Sequence, residues 1–358
     1  MPAVATGGLT SRDVRLVGVC LAVGVVAGVL RYAGGGSVAP FAVSAVALAL
    51  LASLVGRSVE ALGDRLGAGA TGVVQSALGN LPELFVVLFA LHAGLYDVVR
   101  AAIVGSILAN VLLVLGAAFL VGGLRHGTQH FGTDAARSIS LLLVLAVAAL
   151  LVPSLTANLH TPAAGHERVL SVIVSILLLG LFVLSLPMAI RRSSAGTAEP
   201  DEVHAAEWSL GLAIGMLAAA GVAAALVSDW FVHGLEPAID SLGISQAFAG
   251  LVIVAVAGNA VENVVGVQLA ARNKADYALS VILQSPLQIA LVLAPVVVLA
   301  APLVGATFTL VLSPLLIAVL AIAVIVTVLV VLDGESNWFE GATLIALYAI
   351  IATAFWWG

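Results

Sequence analysis

The chain has 358 residues, 62% of them hydrophobic and 9% charged, with a mean hydropathy of +1.21. Soluble domains carry about 25% charged residues, so this length is spent on membrane spans and not on a soluble core. The formal charge of −6 lies mostly in loops, no basic cluster suggests nucleic acid, and the single cysteine, Cys20, excludes an internal disulfide or a thiolate metal site.

A helix needs about 20 apolar residues to cross a bilayer. In chain order the apolar runs predict spans near residues 16–32, 38–55, 71–91, 101–121, 138–152 and 169–190, then, after a polar stretch, 210–227, 246–270, 277–300, 308–331 and 338–357. The first run follows a short polar start without a small-residue cleavage site, so it is expected to stay as a helix. The expectation is therefore an all-α polytopic membrane protein of eleven transmembrane helices. With the N-terminus in the cytoplasm, the inner side holds Arg12, Arg15, Arg57, Arg65, Arg125, Arg137, Arg191, Arg192, Arg272 and Lys274, and the outer side only Arg31, Arg100 and Arg168. That asymmetry obeys the positive-inside rule and puts the C-terminus outside. The seven histidines fall in loops or at span ends.

Of the 19 acidic residues, only Glu83 and Glu262 fall deep inside predicted spans; Glu340 lies at the start of the last one. A charge at the centre of a spanning helix costs roughly 2.5–3.5 kcal/mol on insertion scales. The two carboxylates stand in a repeat. Gly79-Asn80-Leu81-Pro82-Glu83 recurs 179 residues later as Gly258-Asn259-Ala260-Val261-Glu262. Ser106 and Ser285 each follow their glutamate by 23 residues, with Asn110 and Gln288 close behind. Five spans separate corresponding helices, and an odd offset turns the second copy upside down in the membrane. The layout expected is one extra N-terminal helix (1–33), a first five-helix repeat (34–190), an acidic cytoplasmic linker (191–207) and a second, inverted five-helix repeat (208–358). Inverted repeats are the plan of many secondary transporters, with the ion site near the midplane.

These residue types suit a hard divalent cation, which takes about 6–8 oxygens at roughly 2.3–2.6 Å. Glu83 and Glu262 would neutralise it. Asn80 and Asn259, three residues before each glutamate, are expected to share its helix face, and Ser106, Ser285, Asn110 and Gln288 can add neutral oxygens. Gly79 and Gly258 allow close backbone approach. Pro82, if inside a helix, would free the Leu78 carbonyl as a further ligand. Two carboxylates in a low-dielectric site cannot both stay charged without metal; they titrate as a coupled pair. Losing the metal then draws in protons, and exchange needs no separate proton path. A passive cation channel is the reading from another class. An intramembrane enzyme is disfavoured, since no buried Ser-His or Asp-Asp pair stands at useful spacing.

Through these motifs, with Gly105-Ser106, Asn110, Ser285, Gln288 and Ser336-Asn337-Trp338-Phe339-Glu340-Gly341, the chain resembles the calcium/proton exchanger family of the calcium/cation antiporter superfamily. The resemblance implies an antiporter that exports Ca²⁺ or a similar divalent ion against H⁺ by alternating access, without a cofactor. It implies that metal and protons bind alternately at Glu83 and Glu262, with Asn80, Asn259, Ser106, Ser285 and Gln288 nearby. The family usually has His after the second glutamate where this chain has Asn263, which marks that position as a modifier of proton coupling. Leu81-Pro82-Glu83 is similar to the sodium/calcium exchanger branch, so Na⁺ is the alternative counter-ion. The compact chain is expected in a prokaryotic cell membrane, surrounded by lipid.

Overall fold

In hydrocarbon every backbone N–H and C=O must find its partner within the segment, so long aliphatic runs propagate as helix. The computed structural model describes residues 8–33, 36, 38–66, 78–195 and 208–357, without the side chains of residues 64–66, 134–135, 187–195 and 260–263. The helices in chain order are α1 (Ser11–Ala33), α2 (Val38–Leu66), α3 (Leu81–His92), α4 (Tyr96–His126), α5 (Thr133–Asn158), α6 (Glu167–Ala195) and α7 (Leu210–Leu242). They continue with α8 (Gln246–Gly258), α9 (Ala260–Ala271), α10 (Ala275–Val304), α11 (Pro314–Val331) and α12 (Trp338–Trp356). Among the described residues nine helices are long and apolar enough to cross a membrane, and α3 and α8 are shorter apolar helices. The protein is an all-α polytopic membrane protein.

Several boundaries differ from the hydropathy reading. α7 runs to Leu242, well past residue 227, and takes Asp229, Glu236 and Asp240 into the helix. Hydropathy falls where charge begins, but the backbone ladder does not. The run expected as helix from residue 308 is non-helical until Pro314. Ser313 caps α11, accepting from the Leu316 N–H, and Pro314 occupies its first turn, where a missing N–H costs nothing. The preceding stretch is extended, with alternating Ala306, Phe308, Leu310 and Leu312 buried. Its backbone groups are satisfied by side chains. Ser154 Oγ donates to the Leu310 carbonyl at 2.7 Å and accepts from the Leu312 N–H at 2.9 Å, and Ser171 Oγ accepts from the Leu310 N–H at 3.0 Å.

The chain divides into two compact units, each drawing on both halves of the sequence: Met1–Val86 with Leu181–Ser241, and Val87–Gly180 with Leu242–Gly358. In the first unit α1 packs along α2, Cys20 is buried with its Sγ 3.4 Å from the Leu50 carbonyl, and Phe41 stacks on Phe231 with centroids 4.9 Å apart. In the second unit α4 is the central helix, with most of its apolar stretch buried. It meets α8 at Gly105 and Gly250, where an added Cβ would overlap the Leu251 and Val98 backbones respectively, and α12 at Gly116 and Gly341. Such close crossings are what small residues permit in membranes. A two-residue antiparallel pair joins β1 (Gln129–His130) to β2 (Glu335–Ser336). The Ser336–Gly341 motif is a helix start. Asn337 Oδ1 accepts from the Phe339 and Glu340 N–H groups while Glu340 Oε2 accepts from the Asn337 N–H, a capping box. Glu340 is thereby accounted for locally.

Candidate functional site

The two glutamates occupy equivalent backbone positions. The chain turns at Gly79–Asn80, α3 starts at Leu81, and Glu83 is its third residue. The helix is broken again at Asn259 (φ −104°, ψ 19°), α9 starts at Ala260, and Glu262 is its third residue. Each glutamate therefore stands in the first turn of a helix that begins inside an apolar run, at the end where the helix dipole favours negative charge. Glu83, in the first unit, is 1% exposed. The side chains of Glu262 and Asn263 lie outside the described residues.

This geometry corrects two expectations. Asn80 and Asn259 do not share a continuous helix face with the glutamates; they stand at the breaks. The Asn80 carbonyl accepts the Leu84 N–H at 2.9 Å and so opens α3. Pro82 does not break a helix interior either. It is the second residue of α3, where its absent N–H is one of the unpaired donors of any helix start. The break lies upstream, at Gly79–Asn80, and Gly258 precedes the corresponding break at Asn259.

The structure brings Asn110, Asn259 and Ser285 together in the second unit. Asn259 is fully buried, and its Oδ1 accepts from Ser285 Oγ at 3.3 Å and from Asn110 Nδ2 at 3.4 Å. Asn259 Nδ2 donates back to the Ala255 carbonyl at 2.9 Å, and Asn110 Nδ2 also donates to the Ser106 carbonyl at 2.9 Å. Ser106 is fully buried on α4 beside the Gly105 crossing, and Gln288 on α10 is half-buried. The network ties α4, the α8–α9 break and α10 into one polar patch.

One atom in this patch is unsatisfied: Asn110 Oδ1 is buried without a hydrogen-bond partner among the described residues. Such an acceptor costs about 1–3 kcal/mol. A carbonyl oxygen kept dry and unpaired beside two other neutral oxygens is a ligand suited to a hard cation. Local backbone supports the aim of these groups. Asn110 lies in a π-helical segment of α4, Ala109–Val114, and Gln288 immediately precedes another in α10, Ile289–Leu293; a third, Ala249–Val254, lies in α8. π segments are frequent at functional sites.

Asp13 and Thr327 are among the buried polar groups that were not singled out from sequence. Asp13 on α1 is 3% exposed and accepts from Trp208 Nε1 at 2.9 Å, Thr10 Oγ1 at 2.8 Å and Arg57 Nε at 3.3 Å, all within the first unit. Its only signal was Thr10 three residues ahead of it. Thr327 is the single hydroxyl in α11 and is 1% exposed. A lone Thr in an aliphatic run carries no signal of its own.

Comparison with known proteins gives a consistent picture. The family described as "Sodium/calcium exchanger protein" matches residues 36–191 and 212–357. The Ca²⁺/H⁺ antiporter of Aphanothece halophytica is 35% identical over 334 residues, covering 88% of this chain and 89% of that one. The Ca²⁺/H⁺ antiporter ChaA of Bacillus subtilis (strain 168) is 36% identical over 323 residues, covering 88% and 91%. Among solved structures, native YfkE superposes with a TM-score of 0.81 at 33% identity, over 96% of this chain and 99% of that one.

Proposed function

The chain belongs to the sodium/calcium exchanger protein family, and from that membership we propose how it works. It is a secondary antiporter that exchanges Ca²⁺ for H⁺ across a membrane. Metal and protons compete for Glu83 and Glu262, while Asn80, Asn259, Ser106, Ser285, Gln288 and Asn110 supply neutral oxygens. The observation that carries this reading is the matched pair of helix starts, each presenting a glutamate as its third residue after a break at Asn80 or Asn259.

The proposed architecture is eleven spans, an extra N-terminal helix followed by two inverted five-helix repeats. The motif offset of 179 residues supports it, because the π segments Ala109–Val114 and Ile289–Leu293 recur at that offset to within a residue. Discontinuous helices commonly line the site of such repeats, their N-termini facing anionic groups and their freed carbonyls and C-terminal ends facing cations. The proposed orientation has the N-terminus inside, on the asymmetry of Lys and Arg, in a prokaryotic cell membrane.

The chemistry follows from charge. With a divalent ion bound, both carboxylates are ionised and neutralised. When the ion leaves, like-charge repulsion and desolvation both favour protonation, and the pair takes up protons as one coupled unit. Two protons for one divalent ion keep the site neutral in both states, so the membrane-crossing form never carries the full penalty of a buried charge. Ca²⁺ suits flexible carboxylate and amide oxygens better than Mg²⁺, which demands near-ideal octahedral geometry and dehydrates reluctantly. Asn263 removes a titratable neighbour of Glu262 and leaves the glutamates to set the pH dependence. Na⁺ coupling is the weaker reading, given relatives named as Ca²⁺/H⁺ antiporters over most of the chain.

The test is transport in liposomes carrying the purified protein. An imposed pH gradient drives labelled Ca²⁺ uphill, and a Na⁺ gradient alone does not. Equilibration without accumulation would mean a channel, and accumulation driven by Na⁺ would mean the other branch.

A further inference from the structure

Among the described residues α11 is the most apolar of the nine long helices, and Thr327 is its one polar side chain. The hydroxyl of Thr327 stands 2.7 Å from the Ala323 carbonyl of its own helix and 3.3 Å from the Val111 carbonyl of α4. The first contact is the ordinary habit of a helical Thr. The second reaches another helix, and it reaches the π segment Ala109–Val114 at the residue next to Asn110. A π segment loosens the regular i→i−4 ladder, so the direction of the side chains it carries depends on what holds its carbonyls. Asn110 is the side chain at stake. It donates to Asn259 Oδ1 and keeps its own Oδ1 dry and unpaired.

We propose that Thr327 is a positioning residue for cation binding: its hydroxyl holds the π segment at Val111 and so aims the Asn110 amide oxygen at the transported ion. The inference rests on the reading that Asn110 contributes an oxygen to that ion. One proton on Thr327 is shared between two carbonyls, Ala323 in α11 and Val111 in α4. A shift of that proton towards Val111 stiffens the segment, and a shift towards Ala323 releases it. The site therefore has an adjustable support 216 residues away in sequence, on a helix that carries none of the candidate ligands.

The test compares wild type with Thr327→Val, which keeps the shape and loses the proton, and Thr327→Ser, which keeps the hydroxyl. Ca²⁺ uptake into liposomes is measured as KM and kcat separately, normalised to inserted protein, and Ca²⁺ binding is read independently from its effect on the thermal unfolding of the purified protein. Loss of one hydrogen bond changes affinity roughly 3- to 10-fold. Thr327→Val is expected to raise the KM for Ca²⁺ by that factor with kcat little changed, and Thr327→Ser to restore it to within about twofold. Thr327→Ala, also lacking the hydroxyl, is expected to match Thr327→Val. In an Asn110→Ala background the further loss of the Thr327 hydroxyl is expected to add less than about twofold, since groups that act through one another are not additive. An unchanged KM in Thr327→Val, or full additivity with Asn110→Ala, would overturn the proposal. A wild-type protein that binds Ca²⁺ without exchanging it for protons would overturn the transport reading instead; the binding comparison would still decide the role of Thr327.

Discussion

Glu83 is almost fully buried in the first turn of a helix that starts within an apolar run. The helix dipole offsets part of the cost of its charge, and in the proposed mechanism a bound cation or a proton removes the remainder. Glutamine at this position keeps the shape and one neutral oxygen but can neither ionise nor carry a proton. Glu83→Gln and Glu262→Gln are each expected to reduce pH-driven Ca²⁺ uptake to background while the protein still inserts; retained Ca²⁺-dependent proton flux in either variant contradicts the assignment. The glutamates were legible in sequence because a carboxylate among aliphatic residues has few structural uses. Asn110, Asn259 and Ser285 were legible through spacing, and the network among them is now a set of hydrogen bonds. Pro82 has the same chemistry whether it breaks a helix or begins one, and only the position of the turn at Gly79–Asn80 decides. Thr327 was invisible, since its role comes from a neighbour far away in sequence.

At the scale of the element, hydropathy located the apolar helices but not their ends. α7 outruns its apolar stretch, and the segment before Pro314 is extended where an unbroken helix was expected. Both follow from local backbone accounting: a helix continues through charge if its ladder is intact, and an extended stretch survives where Ser154 and Ser171 satisfy its carbonyls and amides. Packing of α4 against α8 depends on glycine in the same concrete way. Gly105→Ala places a methyl against the Leu251 backbone, which cannot give as a side-chain tip can. Overpacking of this kind costs about 1–3 kcal/mol or more. The thermal unfolding midpoint of Gly105→Ala is expected to fall, whereas Gly24→Ala on α1, with nothing within 4 Å of the added carbon, is expected to leave it unchanged. Equal midpoints for the two variants would show that the α4–α8 crossing is not as tight as described.

For the whole molecule, the proposed exchange reduces to one equilibrium, in which the same oxygens hold either metal or protons. The family agrees with the resemblance carried by the motifs, the polytopic helical character agrees with the reading of composition, and in the proposed mechanism the paired glutamates supply the reason for coupling. The most direct test is proton release on Ca²⁺ binding to the purified protein in weakly buffered detergent solution. Adding Ca²⁺ is expected to acidify the medium, with release approaching about two protons per ion at low pH, where the coupled pair is fully protonated, and vanishing at high pH, where it is already ionised. Glu83→Gln and Glu262→Gln should lose that release. Ca²⁺ binding without proton release at any pH, or unchanged release in both variants, would contradict the claim that metal and protons share these two carboxylates.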